Sequence, residues 1–551
     1  MKIWLSSWWN KFSFVGLFFA VLFFAASVTP SLLPRHYLVQ GILSGMSLAV
    51  GYGFGVLVVG LYRFLALPEP QAKTQRISKI VSSALVAIVT VTALWQMTAW
   101  QNSIRTLMEM PPHETAYPMR VIGIALIVGI VLLVLGRLFI TANIIAARVA
   151  EKFAPRRIAL FLSFSFVSIC VLLLTNDLIA AMLLRSADNF FAELDQITEE
   201  GIQPPSDFDS TEGEESYIDW DSIGRQGKLF LTQRPTQQEI EDFHNKVAKR
   251  PIRVYVGMRS RSTMEERAEL ALKELKRVGG FQRSVLIVAT PTGTGWLDPS
   301  AVDTVEYMHR GDTAIVSMQY SYLPSWITLL VEPQHSIDSA TALFDEIYSY
   351  WKTLPRDSRP RLYVHGLSLG ALGAEGSADV YTIFEDPIQG AVFSGTPFPS
   401  VRWQQLVRTR NEGSPIWLPK FRDSRLVRFT SQKNALEPEK AWGPLRVAYI
   451  QYASDPMVWF SPELAWRQPD WLIGKRGPDV SPQLRWYPIV TFLQAAYDMP
   501  MATSVPLGFG HNYSPSSYID AWNAVTTPND WTEEMSQRLK DVFNNRATPK
   551  P

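Results

Sequence analysis

Cysteine is nearly absent: Cys170 is the only one in 551 residues. That excludes a disulfide scaffold and a zinc site built from several cysteines. Histidine is scarce, with seven in all and no H-E-x-x-H among them. Neither a metal nor a cofactor is expected. Net charge is also missing, because 52 Lys/Arg against 51 Asp/Glu leave only +1, which argues against a nucleic-acid partner. With 47% apolar and 19% charged residues, the chain is neither disordered nor fibrous.

Charge is unevenly scarce. Residues 1–180 hold 14 Lys/Arg and 5 Asp/Glu, whereas the remainder holds 38 and 46. The first third therefore addresses a different solvent. Five apolar runs there reach the roughly 20 residues needed to span a bilayer: about 12–33, 38–62, 80–100, 119–141 and 158–182. The flanking loops alternate. Lys2 and Lys11, then Arg63, Lys73, Arg76 and Lys79, then Arg148, Lys152, Arg156 and Arg157 mark one side. Arg35, and then Arg105 with Arg120, leave the other side poorer. The positive-inside rule puts the N-terminus in the cytoplasm and, after five spans, everything beyond about residue 185 outside it. A cleaved signal peptide ending near Ala25-Ala26-Ser27 is the rival reading of the first run, and it leaves the other four spans in the same direction. Between Ser186 and Gly224 there are 12 Asp/Glu and no Lys/Arg, which reads as a solvated linker.

From about residue 250 short apolar strands alternate with helices. Strands are expected at Ile252–Val256, Ser284–Ala289, Thr313–Gln319, Arg361–His365, Ile388–Ser394 and Arg446–Tyr452. Helices are expected at Thr263–Val278, Ser300–His309, Ile337–Leu354 and Gly370–Phe384. Continuous apolar strands between helices predict an α/β fold with a mostly parallel sheet covered on both faces.

One motif carries chemistry. The strand Leu362-Tyr363-Val364-His365 runs into Gly366-Leu367-Ser368-Leu369-Gly370 and then into a small-residue helix start. This is G-x-S-x-G between a strand and a helix, the setting in which a sharp turn presents a nucleophilic serine. Chain order then requires an acid and, after it, a histidine. Only His511 follows Ser368, in the loop Gly508-Phe509-Gly510-His511-Asn512-Tyr513. Asp455, directly after a strand, is the best acid; Asp379, Asp423, Asp470, Asp479 and Asp498 are rivals that follow no clear strand. An oxyanion hole needs two backbone N–H groups. Leu369 supplies one, and the glycine-rich loop Thr290–Trp296 supplies the other near Thr294.

The segments Thr290–Trp296, Met318–Trp326, Gly366–Gly370, Ala453–Pro456 and Gly510–Tyr513 resemble a bacterial family of membrane-anchored α/β-hydrolases, and the resemblance covers nearly the whole chain. It implies the α/β-hydrolase fold and a triad of Ser368, Asp455 and His511. The expected organisation is a transmembrane helical region at 1–185, an acidic linker and connector at 186–245, and a hydrolase domain at 246–551.

Trp296 and Tyr320, in aromatic-bearing segments beside the motif, are candidate substrate contacts. About 56 residues separate Asp455 from His511, with an aromatic-rich insert around 459–505. It reads either as ordinary packing or as a cap over the site. The expected activity is hydrolysis of a lipid or envelope-associated ester at the membrane. An acyltransferase using the same acyl-enzyme and a non-catalytic scaffold are the alternatives.

Overall fold

The structure, a computed structural model, describes residues 12–68, 71–173, 181–197, 201–205, 215–378, 386–436 and 441–547. Lys2, Lys11, residues 174–180 of the fifth apolar run, residues 206–214 of the linker and Asp379 lie outside the described residues. The chain forms two compact units. The first comprises 1–185, 460–473 and 478–501; the second comprises 186–459, 474–477 and 502–551.

The first unit is built on five helices: α1 (Phe14–Ser27), α2 (Tyr37–Phe64), α3 (Ala72–Leu107), α4 (Pro118–Ala150) and α5 (Arg156–Leu172). Among the described residues three helices, α2, α3 and α4, are long and apolar enough to cross a membrane. The first and fifth of the five expected runs are shorter as described. α1 is a 14-residue helix because Val28–His36 leaves helical geometry as a buried loop around Pro30 and Pro34, and α5 has 17 described residues.

Glycines set how closely these helices approach. A Cβ on Gly41 would lie 2.6 Å from the Ile124 Cβ, and one on Gly45 would lie 2.7 Å from the Val128 Cβ, so this face of α2 meets α4. Gly51 and Gly55 do the same toward α1, where a Cβ would come within 2.5 Å of the Phe19 and Val15 carbonyl oxygens. Small residues four apart let helix backbones touch where lipid offers no hydrophobic drive to association.

Most of the aromatic-rich insert, residues 460–473 and 478–501, falls in this first unit. The physical reason is a buried charge. Asp498, at the end of the helix Val490–Asp498, accepts from Arg35 Nε at 2.8 Å, from the Leu32 N–H at 3.2 Å and from the Ser31 hydroxyl. Neither member of the Arg35–Asp498 pair is exposed. Gln494 donates to the Ser27 and Thr29 carbonyls at 3.2 and 3.1 Å, and the Ser103 and Ser481 hydroxyls lie 2.8 Å apart.

The second unit contains a seven-stranded parallel sheet: β1 (Ile252–Val256), β2 (Val285–Thr290), β3 (Thr313–Met318), β4 (Arg361–Leu367), β5 (Gly390–Ser394), β6 (Val427–Thr430) and β7 (Arg446–Ile450). Their order is β1-β3-β2-β4-β5-β7-β6. Helices α6 (Met264–Arg277), α8 (Gln334–Thr353) and α9 (Leu369–Ser377) pack together, as separately do α7 (Pro299–Met308) and α10 (Pro515–Thr526). Six strands match the sequence expectation. The seventh, β6, is a four-residue edge strand whose apolar run is broken by Arg428, which folds back onto the Ser424 and Leu436 carbonyls.

Candidate active site

Ser368 sits between β4 and α9 with φ +59° and ψ −128°. A side chain in that region is strained, and the neighbours explain why it persists. A Cβ on Gly366 would collide with the Gly370 carbonyl, and one on Gly370 would collide with the Thr290 carbonyl and lie 2.6 Å from that of Pro291. The two glycines therefore let the turn close against itself and against the end of β2. The pairing of Leu367 with Ser394 carries on into a bond from the Ser368 N–H to the Ser394 carbonyl, 2.9 Å.

Asp455 lies past the end of β7 and is fully buried. Its Oδ1 accepts the Met457 N–H at 2.9 Å. Its Oδ2 accepts from His511 Nδ1 at 2.6 Å and from the Tyr513 hydroxyl at 2.8 Å. The carboxylate thus keeps the proton on Nδ1 and leaves Nε2 as an acceptor. The loop carrying His511 is shaped by Gly508 (φ +94°) and Gly510 (φ +56°) and by a bridge between Phe509 and Asn512. The Gly510 N–H donates to Ser454 Oγ at 2.9 Å, and the His511 N–H donates to the Ala502 carbonyl at 2.8 Å.

Ser368 and His511 both lie beside the end of β5. The Ser394 carbonyl holds the Ser368 backbone, and the next residue, Gly395, faces the imidazole: a Cβ there would be 2.6 Å from His511 Cε1. The Ser368 hydroxyl and His511 Nε2 are both buried, and neither has a hydrogen-bond partner among the described residues. An orphan hydroxyl and an orphan ring nitrogen suit groups whose partner is a reactant.

Three N–H groups of the loop after β2 are already engaged. Thr292 N–H reaches the Trp296 carbonyl at 2.9 Å, Gly295 N–H reaches that of Thr292 at 2.9 Å, and Gly293 N–H reaches Ser325 Oγ at 2.9 Å. The Thr294 N–H has no such bond among the described residues. Leu369 opens α9, where N–H groups of the first turn have no intrahelical acceptor. Trp296 is half-buried, and Tyr320, two residues past β3, is buried with a hydroxyl that has no hydrogen-bond partner among the described residues.

Three neighbours were not singled out from sequence. Tyr513 shares the Asp455 oxygen with His511, and its position two residues after the histidine was the available signal. Gly395 makes room for the ring, and no spacing rule marks it. Asp298 caps α7 by accepting the Ser300 N–H at 2.9 Å. Burial raises its carboxyl to about 6, against the opposing pull of hydrogen bonds from Ser300 and Tyr518 and of nearby His511. Among the described residues, no three His, Cys, Asp or Glu side chains cluster so as to hold a metal ion.

This fold and this set of groups define an α/β-hydrolase. A family model described as the alpha/beta-hydrolase family matches residues 252–539, and one for that family's N-terminus matches residues 28–235. The chain belongs to this alpha/beta-hydrolase family. No curated protein and no solved structure matches it.

Proposed function

We propose that the protein is a membrane-anchored serine hydrolase that cleaves an ester of a lipid or envelope component through a Ser368–His511–Asp455 triad. The observation that carries this reading is the pairing of a strained, glycine-flanked Ser368 with an imidazole whose Nδ1 is held 2.6 Å from Asp455 and whose Nε2 is unused. Ser368 Oγ attacks the ester carbonyl while Nε2 takes its proton. The carbonyl oxygen becomes an alkoxide that accepts the Leu369 and Thr294 N–H groups. The tetrahedral intermediate expels the alcohol, which leaves with the proton from Nε2. Water then attacks the acyl-enzyme by the same route, releasing acid and restoring Ser368. Asp455 stays ionised and stabilises the imidazolium.

The membrane supplies the reason for a lipid-like ester, since tethering raises effective concentration at the bilayer. The charge distribution supports an extracytoplasmic hydrolase domain. Within the first unit, the insert meets the loop Val28–His36 and the end of α3, at the opposite ends of the helices from Arg63, Lys73, Arg76 and Lys79.

The test is labelling of intact, outer-barrier-permeabilised cells with a membrane-impermeant fluorophosphonate. Wild type should label and Ser368→Ala should not. Ser368-dependent labelling only after lysis would reverse the orientation, and none under either condition would remove the serine-hydrolase assignment.

A further inference from the structure

The first unit contains a groove that the catalytic reading does not use. It has a volume of about 1250 Å³ and lies among the start of α1, the second half of α2, the first turns of α3 and the later part of α4. Small-molecule pockets usually occupy about 300–1,000 Å³, so this one has room for a larger ligand. It exists because α3 stands off from its neighbours. The first buried residue of α3 is Val86, so the nearly four turns before it are packed only loosely. Glycine forms part of the wall: a Cβ on Gly53, Gly60 or Gly136 would meet no atom within 4 Å.

The lining has one sign of charge. Arg63, Lys79 and Arg137 reach it, and no Asp or Glu does among the described residues. Arg63 occupies the last turn of α2, and Lys79 lies in the early part of α3. Arg137 lies 13 residues before the end of α4, about 20 Å along the axis at ~1.5 Å per residue. Its guanidinium lies 4.2 Å from the Phe12 ring centroid, and Lys79 Nζ lies 5.8 Å from that of Phe14. The rest of the wall is apolar, with hydroxyls such as those of Ser78 and Thr141. A cationic rim over an apolar trough is complementary to one kind of molecule, an acyl chain ending in a negatively charged phosphate. Anionic headgroups attract basic groups at the membrane surface.

We infer that this groove is a binding site for one anionic glycerophospholipid, its phosphate at Arg63 and Lys79 and its chains along Gly53, Gly60 and Gly136. The inference rests on the membrane-anchored part of the proposed function and not on its chemistry.

The test uses the purified full chain in detergent, titrated with phosphatidylglycerol or phosphatidylcholine of identical chains and read by native mass spectrometry. Phosphatidylglycerol should bind one to one and at least about tenfold more tightly than phosphatidylcholine. Arg63→Gln with Lys79→Gln should abolish that preference. Gly60→Leu fills the trough without altering charge and should weaken both lipids. Circular dichroism and elution volume serve as folding controls. Ser368→Ala should bind like wild type, so failure of the hydrolase assignment is read separately by fluorophosphonate labelling. Equal affinity for the two lipids, or a preference that survives the double substitution, would overturn the inference. So would binding that appears only after deletion of residues 1–11, because the groove's occupant would then be the chain's own N-terminus.

Discussion

The two units place their apolar side chains oppositely. In the second, every residue of β1, β2, β3 and β5 is buried. In the first, leucines, isoleucines and phenylalanines crowd the outside: Leu57, Ile88, Ile127 and Phe161 are among many exposed ones. A water-soluble unit with such a surface would aggregate, whereas lipid makes it neutral. Glycine does different work in each. Along α2 it lets backbones approach, and around Ser368 it lets a turn close. Both units also bury an arginine with carboxylates. In the second, Arg253 reaches Glu306 and Asp303, each at 2.7 Å, binding β1 to α7. In the first, Arg35 binds the insert to a loop more than 460 residues earlier in the chain. Buried ion pairs are weak evidence for stability but costly to break. The second pair's distinctive property is therefore specificity, since it fixes which part of the chain the insert joins.

The largest expected effect separates activity from stability. Ser368→Ala should lower kcat/KM by about 10⁴-fold or more. Thermal unfolding should hardly move, since the hydroxyl has no partner to lose. Ser368→Gly should be equally inactive yet raise stability by about 1 kcal/mol, because glycine adopts φ +59° without strain. Loss of stability in both variants would show that the turn is not strained.

Next is the ion pair. Asp498→Ala leaves Arg35 buried and unpaired and should destabilise the first unit by about 3–5 kcal/mol. Hydrogen exchange should locate the loss in residues 478–501, leaving β1–β7 protected. Replacing both partners by Met and Leu should recover most of the loss. If the double replacement is as poor as the single one, the comparison with Arg253 fails.

These two cases mark what the sequence makes legible. The sheet could be read because continuous β-branched runs bury both faces. Chain order leaves one histidine to choose, and that histidine lies 2.6 Å from Asp455. The partner of the insert could not be read, because nothing local announces that Asp498 meets Arg35. The break after α1 was hidden for a similar reason. Apolarity runs on through Val28–Leu33, but two prolines and a buried polar loop stop the helix there.

A smaller effect depends on pH. His365, buried within β4 with Nδ1 2.8 Å from the Val392 carbonyl, has its pKa lowered by burial to about 4, against 6.5 for the free side chain. Between those values the unfolded chain binds a proton that the folded chain refuses. This histidine therefore favours folding less and less as pH falls through that window. His365→Asn removes the term. The stability of wild type relative to the variant should fall by roughly 3 kcal/mol between pH 7 and pH 4, measured by denaturant unfolding. A constant difference would mean that His365 is solvated.

The smallest effect tests whether the acid is positioned as tightly as the turn. Tyr513→Phe removes one of the two donors on Asp455 Oδ2 but keeps the ring, which stacks on Tyr452 with centroids 4.5 Å apart. Hydrogen bonds to charged groups are worth about 1.5–3 kcal/mol, but His511 and the Met457 N–H still hold the carboxylate. A fall in kcat of about tenfold with unchanged KM is expected. Its diagnostic is the acid limb of the pH–rate profile. A carboxylate that loses a donor is more basic and competes better for the shared proton, so the limb should change position. A lower kcat with an unmoved limb would mean that Tyr513 supports the loop and does not act through Asp455.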